Sequence, residues 1–114
     1  MSPRGVEARI EDILEGIRNV QSYVQGMTFE EFAADMKTVR AAAFEVGTIG
    51  EAARHTPDEV RKHYPQVPWD KMQATRNLIF HEYFRIDKSL LWQTITDDLP
   101  SLVPVLQEIL DRER

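Results

Sequence analysis

Arg76-Asn77-Leu78-Ile79-Phe80-His81-Glu82-Tyr83 is the stretch from which the fold can be read outward. At ~100° per residue about a helix axis, Trp69, Met72, Ile79, Phe80 and Tyr83 all fall within roughly 60° of Arg76. That is one apolar stripe with a guanidinium in its middle. The spacing predicts a helix that begins at Trp69 and carries the whole octapeptide. On that helix Asn77 and His81 lie four residues apart on one flank, away from the stripe.

The flanking sequence is helical in pattern as well. Val6, Ile10, Ile13, Ile17, Val20 and Val24 recur at spacings of three and four, with Gly26 as the expected stop. Thr28-Phe29-Glu30-Glu31 has the form of a capping box. A second helix should start there and run on through Phe32, Met36, Val39, Ala43, Val46, Gly50 and Ala53. Ala42, Ala43, Gly47 and Gly50 would let another helix come close, and the two glycines favour a kink at that end. Thr56-Pro57-Asp58-Glu59 opens a short helix with proline at its first position, and Tyr64-Pro65-Gln66-Val67-Pro68 closes it. Asp87 can cap a last segment carrying Leu91, Ile95, Leu99, Leu102, Leu106, Ile109 and Leu110, in which Pro100 should force a kink or a restart. No stretch alternates with period two for long enough to be a strand. The expected architecture is a single all-α domain over residues 1–114, an antiparallel bundle of four long helices plus a short one.

Composition narrows the class. A chain of 114 residues buries roughly 65% of its unfolded surface, enough for a core. It is 42% hydrophobic and 29% charged. No apolar run approaches the ~20 residues that span a bilayer. Met1-Ser2-Pro3-Arg4-Gly5 lacks the apolar centre of a signal peptide, so a cytoplasmic location is expected. The absence of cysteine excludes disulfides and thiol catalysis. A net charge of −5 argues against coating nucleic acid non-specifically. The charge is uneven, however. Arg54 to Lys88 holds seven Lys/Arg against five Asp/Glu, a balance of +2; the remainder holds seven against fourteen, a balance of −7.

The octapeptide holds the reactive groups. An arginine stabilises phosphate charge, and an imidazole moves protons near neutral pH. The pair is chemically sufficient for metal-free cleavage of an RNA phosphodiester. Two readings explain an arginine on an apolar stripe. Arg76 either pairs with a buried carboxylate such as Glu51, or points from a cleft or subunit interface at a ligand phosphate. The Asn77 amide, one turn before His81, is placed to fix the ring's tautomer. Tyr83 reads as an amphipathic residue at the edge of the core, and His55 and His63 as surface residues near helix ends. Three histidines without carboxylates at ligand spacing do not suggest a metal site. No glycine-rich phosphate loop occurs, which excludes an NTPase or a nucleotidyltransferase on this chain.

These residues resemble a known family. Arg76-Asn77-x-x-x-His81-x-Tyr83 is similar to the signature of the HEPN superfamily in its HepT-like branch. Pro65-Gln66-Val67-Pro68-Trp69 before it, Tyr83-Phe84-Arg85-Ile86-Asp87 after it, then Leu91-Trp92 and Asp98-Leu99-Pro100 extend the likeness over about the whole chain, and Ile49-Gly50-Glu51-Ala52 resembles the family's second helix. The resemblance implies a homodimeric HEPN bundle and a metal-independent endoribonuclease without cofactor, the toxin of a type VII toxin-antitoxin pair. It implies Arg76 and His81 as catalytic residues, supported by Asn77 and Glu51. It also implies a cognate MNT-type nucleotidyltransferase antitoxin that silences the toxin by adding AMP to Tyr83. Two other function classes fit such a chain: a non-catalytic module that partners the transferase, and a purely structural dimer.

Overall fold

The computed structural model of the chain describes residues 5–80 and 85–114. Seven α-helices follow in order among these residues: α1 (Val6–Val24), α2 (Phe29–Ala34), α3 (Met36–Arg54), α4 (Asp58–His63), α5 (Trp69–Ile79), α6 (Lys88–Gln93) and α7 (Val103–Glu113). A π-turn at Thr94–Asp98 and a 3₁₀ turn at Pro100–Leu102 join the last two. The long helices α1, α3, α5 and α7 make the bundle, as the periodicity predicted. In it α3 packs on both α1 and α5, and α1 also packs on α7.

The α1 stripe is the spine of the core. Ile10, Ile13, Ile17 and Val20 are wholly buried, facing Val39, Ala42 and Ala43 of α3 and Leu106 and Ile109 of α7 within one cluster. Each such side chain contributes about 1.5–3 kcal/mol by leaving water. Gly16 is where α1 and α3 touch: a Cβ there would lie 2.8 Å from Ile49 Cγ1. The turn after α1 is made by Gly26, at φ 79°, a left-handed conformation that costs glycine nothing.

The second helix differs from the expected one. The capping box is present: Glu31 N–H donates to Thr28 Oγ1 at 3.1 Å, and Thr28 N–H to Glu31 Oε1 at 2.9 Å. But this helix stops at Ala34, and α3 starts afresh at Met36. Asp35 is the reason. Its carboxylate accepts from Thr38 N–H at 3.2 Å and from the Thr38 hydroxyl at 2.8 Å, while its own N–H closes α2 on the Phe32 carbonyl. Those Thr38 bonds hold the Asp35 carboxyl below the usual carboxylate range. The break swings α2 across to α6. There Phe32 lies 5.0 Å from Trp92, ring centre to ring centre, and Lys88 Nζ donates to the Ala33 carbonyl at 3.0 Å. Met36, expected in the core, is exposed. Despite its two glycines, α3 runs unbroken to Arg54.

The remaining elements follow the sequence closely. The short helix begins at Asp58, with Pro57 as its cap rather than its first residue, since ψ 146° sets Pro57 outside the helix, and the Thr56 hydroxyl donates back to the Ala52 carbonyl. Tyr64 then anchors the link to α5: Trp69 Nε1–H donates to its carbonyl at 3.0 Å, and its own hydroxyl reaches Glu113 Oε2 at 2.8 Å. Asp87 caps α6 by accepting from Leu90 N–H. Pro100 interrupts the last segment as expected. It lacks an N–H for the helical ladder, and the backbone widens into the π-turn just before it, where Leu99 N–H bonds to the Thr94 carbonyl. Among the described residues no strand forms; a single bridge pairs Phe80 with Ile86.

Candidate functional site

The site is built where α3 and α5 come closest. A Cβ added to Gly50 would lie 3.1 Å from the Met72 carbonyl oxygen and 3.5 Å from Arg76 Cβ. One added to Gly47 would lie 3.9 Å from Arg76 Nε. The Arg76 side chain therefore lies along a trough that the two glycines leave on α3.

This placement corrects the expected setting of Arg76. Trp69, Met72 and Ile79 are buried, but Arg76 is exposed. The wheel puts it at the centre of the apolar stripe, yet α3 presents the glycines Gly47 and Gly50 opposite it, so among the described residues no α3 side chain buries the guanidinium. Nor does Glu51 pair with it. Glu51 Oε1 is engaged on its own helix, accepting from Arg54 Nη1 at 3.1 Å and lying 2.9 Å from His55 Nε2. The His55 bond, helped by the Arg54 charge, holds the Glu51 carboxyl below its ordinary range. Arg76 instead donates to Asn77 Oδ1 at 3.4 Å and sits over the Phe80 ring, 5.7 Å from its centre. A cation on an aromatic face gains about 0.5–1 kcal/mol at an exposed site. That holds the side chain without neutralising it. Among the described residues Arg76 has no ion-pair partner.

Arg76 and Asn77 share a groove of about 200 Å³ with Gly50, Glu51, Arg54 and Gln73. Three of the sequence-predicted site residues, Arg76, Asn77 and Glu51, thus come together. His81 and Tyr83 lie outside the described residues. Helix α5 ends at Ile79, Phe80 takes an extended conformation (φ −94°, ψ 120°), and Asp87 N–H donates to the Ile79 carbonyl at 2.7 Å. The helical count from Arg76 is thus followed as far as Ile79, where α5 ends.

Sequence reading missed Arg54 and Gln73. A signal was present: Gly47, Gly50 and Arg54 follow one face of α3, and Gln73, Arg76 and Asn77 one face of α5, at spacings of three and four. His55 and His63 are exposed at helix ends, as read. Among the described residues, no group of three or more His, Cys, Asp or Glu is placed to hold a metal ion. No helix of the described residues is long and apolar enough to cross a membrane.

Fold and groove together define a small helical bundle that presents an open arginine beside an amide and a carboxylate. The family model described as "Ribonuclease HepT-like" matches residues 13–109. The "Putative RNase MJ0127" of Methanocaldococcus jannaschii is 34% identical over 110 residues, covering 96% of this chain and 91% of the relative. The "Probable ribonuclease HepT" of Thermococcus cleftensis is 36% identical over 93 residues, covering 82% and 84%. No solved structure matches the chain. The chain belongs to the ribonuclease HepT-like family.

Proposed function

We propose that this chain is a metal-independent endoribonuclease, acting as a homodimer and as the toxin of a type VII toxin-antitoxin pair. The observation that carries the reading is the state of Arg76: a guanidinium on an exposed groove, oriented by Asn77 and Phe80 and neutralised by no carboxylate among the described residues. A charge held open in this way suits an anionic ligand better than a structural ion pair.

In the proposed reaction a ribose 2'-oxygen attacks the adjacent phosphorus. Its proton passes to His81 as general base. The phosphorus–5'-oxygen bond breaks, and a second acid protonates the leaving oxygen. The products end in a 2',3'-cyclic phosphate and a 5'-hydroxyl. Arg76 stabilises the extra charge on the phosphorane-like transition state. The octapeptide supplies one histidine per chain, so a two-fold dimer that brings two copies of His81 together provides both base and acid. The large apolar side chains Phe44 and Leu78, 69% and 59% exposed, support such an interface: Phe44 is one turn before Gly47 on α3, and Leu78 follows Asn77 on α5. Glu51 supports the site from α3. A cognate MNT-type nucleotidyltransferase would silence the toxin by adding AMP to Tyr83, placing charge and bulk where RNA enters.

The test is incubation of the purified protein with total RNA in EDTA, followed by analysis of product ends. Cyclic phosphate and 5'-hydroxyl ends, lost in His81→Ala, are the expected result. Cleavage that requires added magnesium refutes the mechanism. Intact RNA at all protein concentrations leaves instead a binding module for the transferase.

A further inference from the structure

Positive charge continues past Arg76 along one face of the molecule. Arg54 lines the same groove from α3 and is 59% exposed, with Glu51 holding one of its nitrogens. On the opposite wall the Gln73 carboxamide accepts from Arg61 Nη2 at 3.2 Å through its oxygen. Its N–H₂ end makes no hydrogen bond among the described residues. Arg61 also reaches Asp70 Oδ1 at 3.4 Å and lines a second, wider depression of about 530 Å³ beside Lys62 and Lys71. The Arg61–Gln73 bond therefore links the wall of one depression to the wall of the other, and the two lie in sequence over α3, α4 and α5. Five basic side chains (Arg54, Arg61, Lys62, Lys71, Arg76) face three acidic ones (Glu51, Asp58, Asp70) along this path, a balance of +2 on a chain of net charge −5.

We infer that this path is the track on which a single strand of RNA lies, with Arg54 and Arg61 binding phosphates beyond the one at Arg76 and Gln73 donating from its amide between them. The inference rests on the ribonuclease reading and adds to it where the substrate runs. A groove of about 200 Å³ between two closely packed helices admits one sugar–phosphate backbone. Beside Pro65, Val67, Pro68 and Trp69 of the wider depression, the path carries five cations and the amides of Gln73 and Asn77, groups that hold phosphate without choosing its bases. Glu51 keeps the Arg54 guanidinium extended along the ridge, and a phosphate oxygen replaces that carboxylate when RNA binds.

The measurement is the affinity of a labelled 20-nucleotide oligouridylate for the His81→Ala protein at several salt concentrations. Each phosphate neutralised on a single strand contributes about 0.7 to the slope of log K against log salt. Arg54→Gln is expected to lower that slope by about 0.7 and to weaken binding about three- to tenfold, equally for other base sequences. Arg54→Lys should keep the slope. Arg112→Gln, a surface arginine of α7 bonded to Glu108, is the control and should change neither quantity. In the cleaving protein Arg54→Gln should raise KM for long RNA by a similar factor while kcat stays within about twofold, since uniform binding is lost rather than transition-state binding. An unchanged slope in Arg54→Gln, in a protein that cleaves RNA, overturns the track and leaves the ribonuclease standing. An Arg54-dependent slope in a protein that never cleaves does the reverse. Neither binding nor cleavage by the wild type overturns both.

Discussion

The two sides of α3 carry opposite solutions to the same packing problem. Toward α1 the helix presents Val39, Ala42 and Ile49, all buried, and is met by fully buried isoleucines. Toward α5, near its C-terminal end, it presents Gly47 and Gly50 and is met by backbone and by the stem of an arginine. On the first side, apolar area removed from water stabilises the contact. On the second, the missing side chains bring backbones together and leave a charged head exposed. Fold stability resides on the α1 side and candidate chemistry on the α5 side, within one rigid element.

That division is testable by substitution. The largest effect should come from the octapeptide. His81→Ala and Arg76→Ala are expected to reduce RNA cleavage by about a hundred- to ten-thousandfold. Because Arg76 is exposed and unpaired among the described residues, its loss should leave the melting temperature nearly unchanged; a large drop would show that Arg76 belongs to the stabilising half. Next, Ile13→Ala should cost about 2–5 kcal/mol by opening a cavity between α1 and its neighbours. Chemical denaturation measures that, and kcat in the still-folded fraction should stay near wild type. Gly50→Ala falls between the two classes. A methyl group 3.1 Å from the Met72 carbonyl pushes α5 outward. Overpacking of this kind costs about 1–3 kcal/mol, set against the better helix propensity of alanine. Both stability and cleavage should therefore decline together, which neither preceding class does.

The smallest effect is on acid stability. Asp35 and Glu51 are both held below their ordinary carboxyl range by partners made in the fold, Thr38 for the first and His55 with Arg54 for the second. A depressed native pKa means that the unfolded chain binds the proton more readily. The stabilisation is thus complete above the unfolded carboxyl range, near pH 4–4.5, and is lost as pH falls through the lower native values. Denaturation followed between pH 6 and 3 should show Asp35→Asn and Glu51→Gln with a shallower decline than wild type. A parallel decline would mean that neither carboxylate is linked to folding.

Most of the bundle was legible because it is local. The α1 stripe, the Thr28 capping box, the Asp87 cap and the interruption at Pro100 each depend on residues within a turn or two of one another. The features that were not legible depend on a competitor or a neighbour. The apolar period runs through Asp35 unbroken, so only the double bond to Thr38 shows that two helices meet there. Likewise, a wheel places Arg76 on an apolar stripe but does not show what stands opposite, and the glycines standing there leave the guanidinium exposed. The end of α5 at Ile79 was concealed because Ile79, Phe80 and Tyr83 keep helical spacing. The pairing that ends the helix, Phe80 with Ile86 and Ile79 with Asp87, lies across several intervening residues. Of the candidate site, Arg76, Asn77 and Glu51 were found by their chemistry, while the spacing of Arg54 and Gln73 gained meaning only from the groove between α3 and α5.

The π-turn at Thr94–Asp98 has a consequence for how this chain tolerates changes in length. A helix that widens for one turn contains one residue more than its ladder needs. The surplus is absorbed there, and Leu102, Leu106, Ile109 and Leu110 still reach the core beyond it. Deleting one residue between 94 and 98 would convert the wide turn to an ordinary one with α7 close to its present phase. The same deletion within α1 rotates everything after it by ~100° and carries the isoleucine stripe off the core. Single-residue deletions are thus permitted at the π-turn and forbidden in α1, a difference invisible to any comparison that scores substitutions alone.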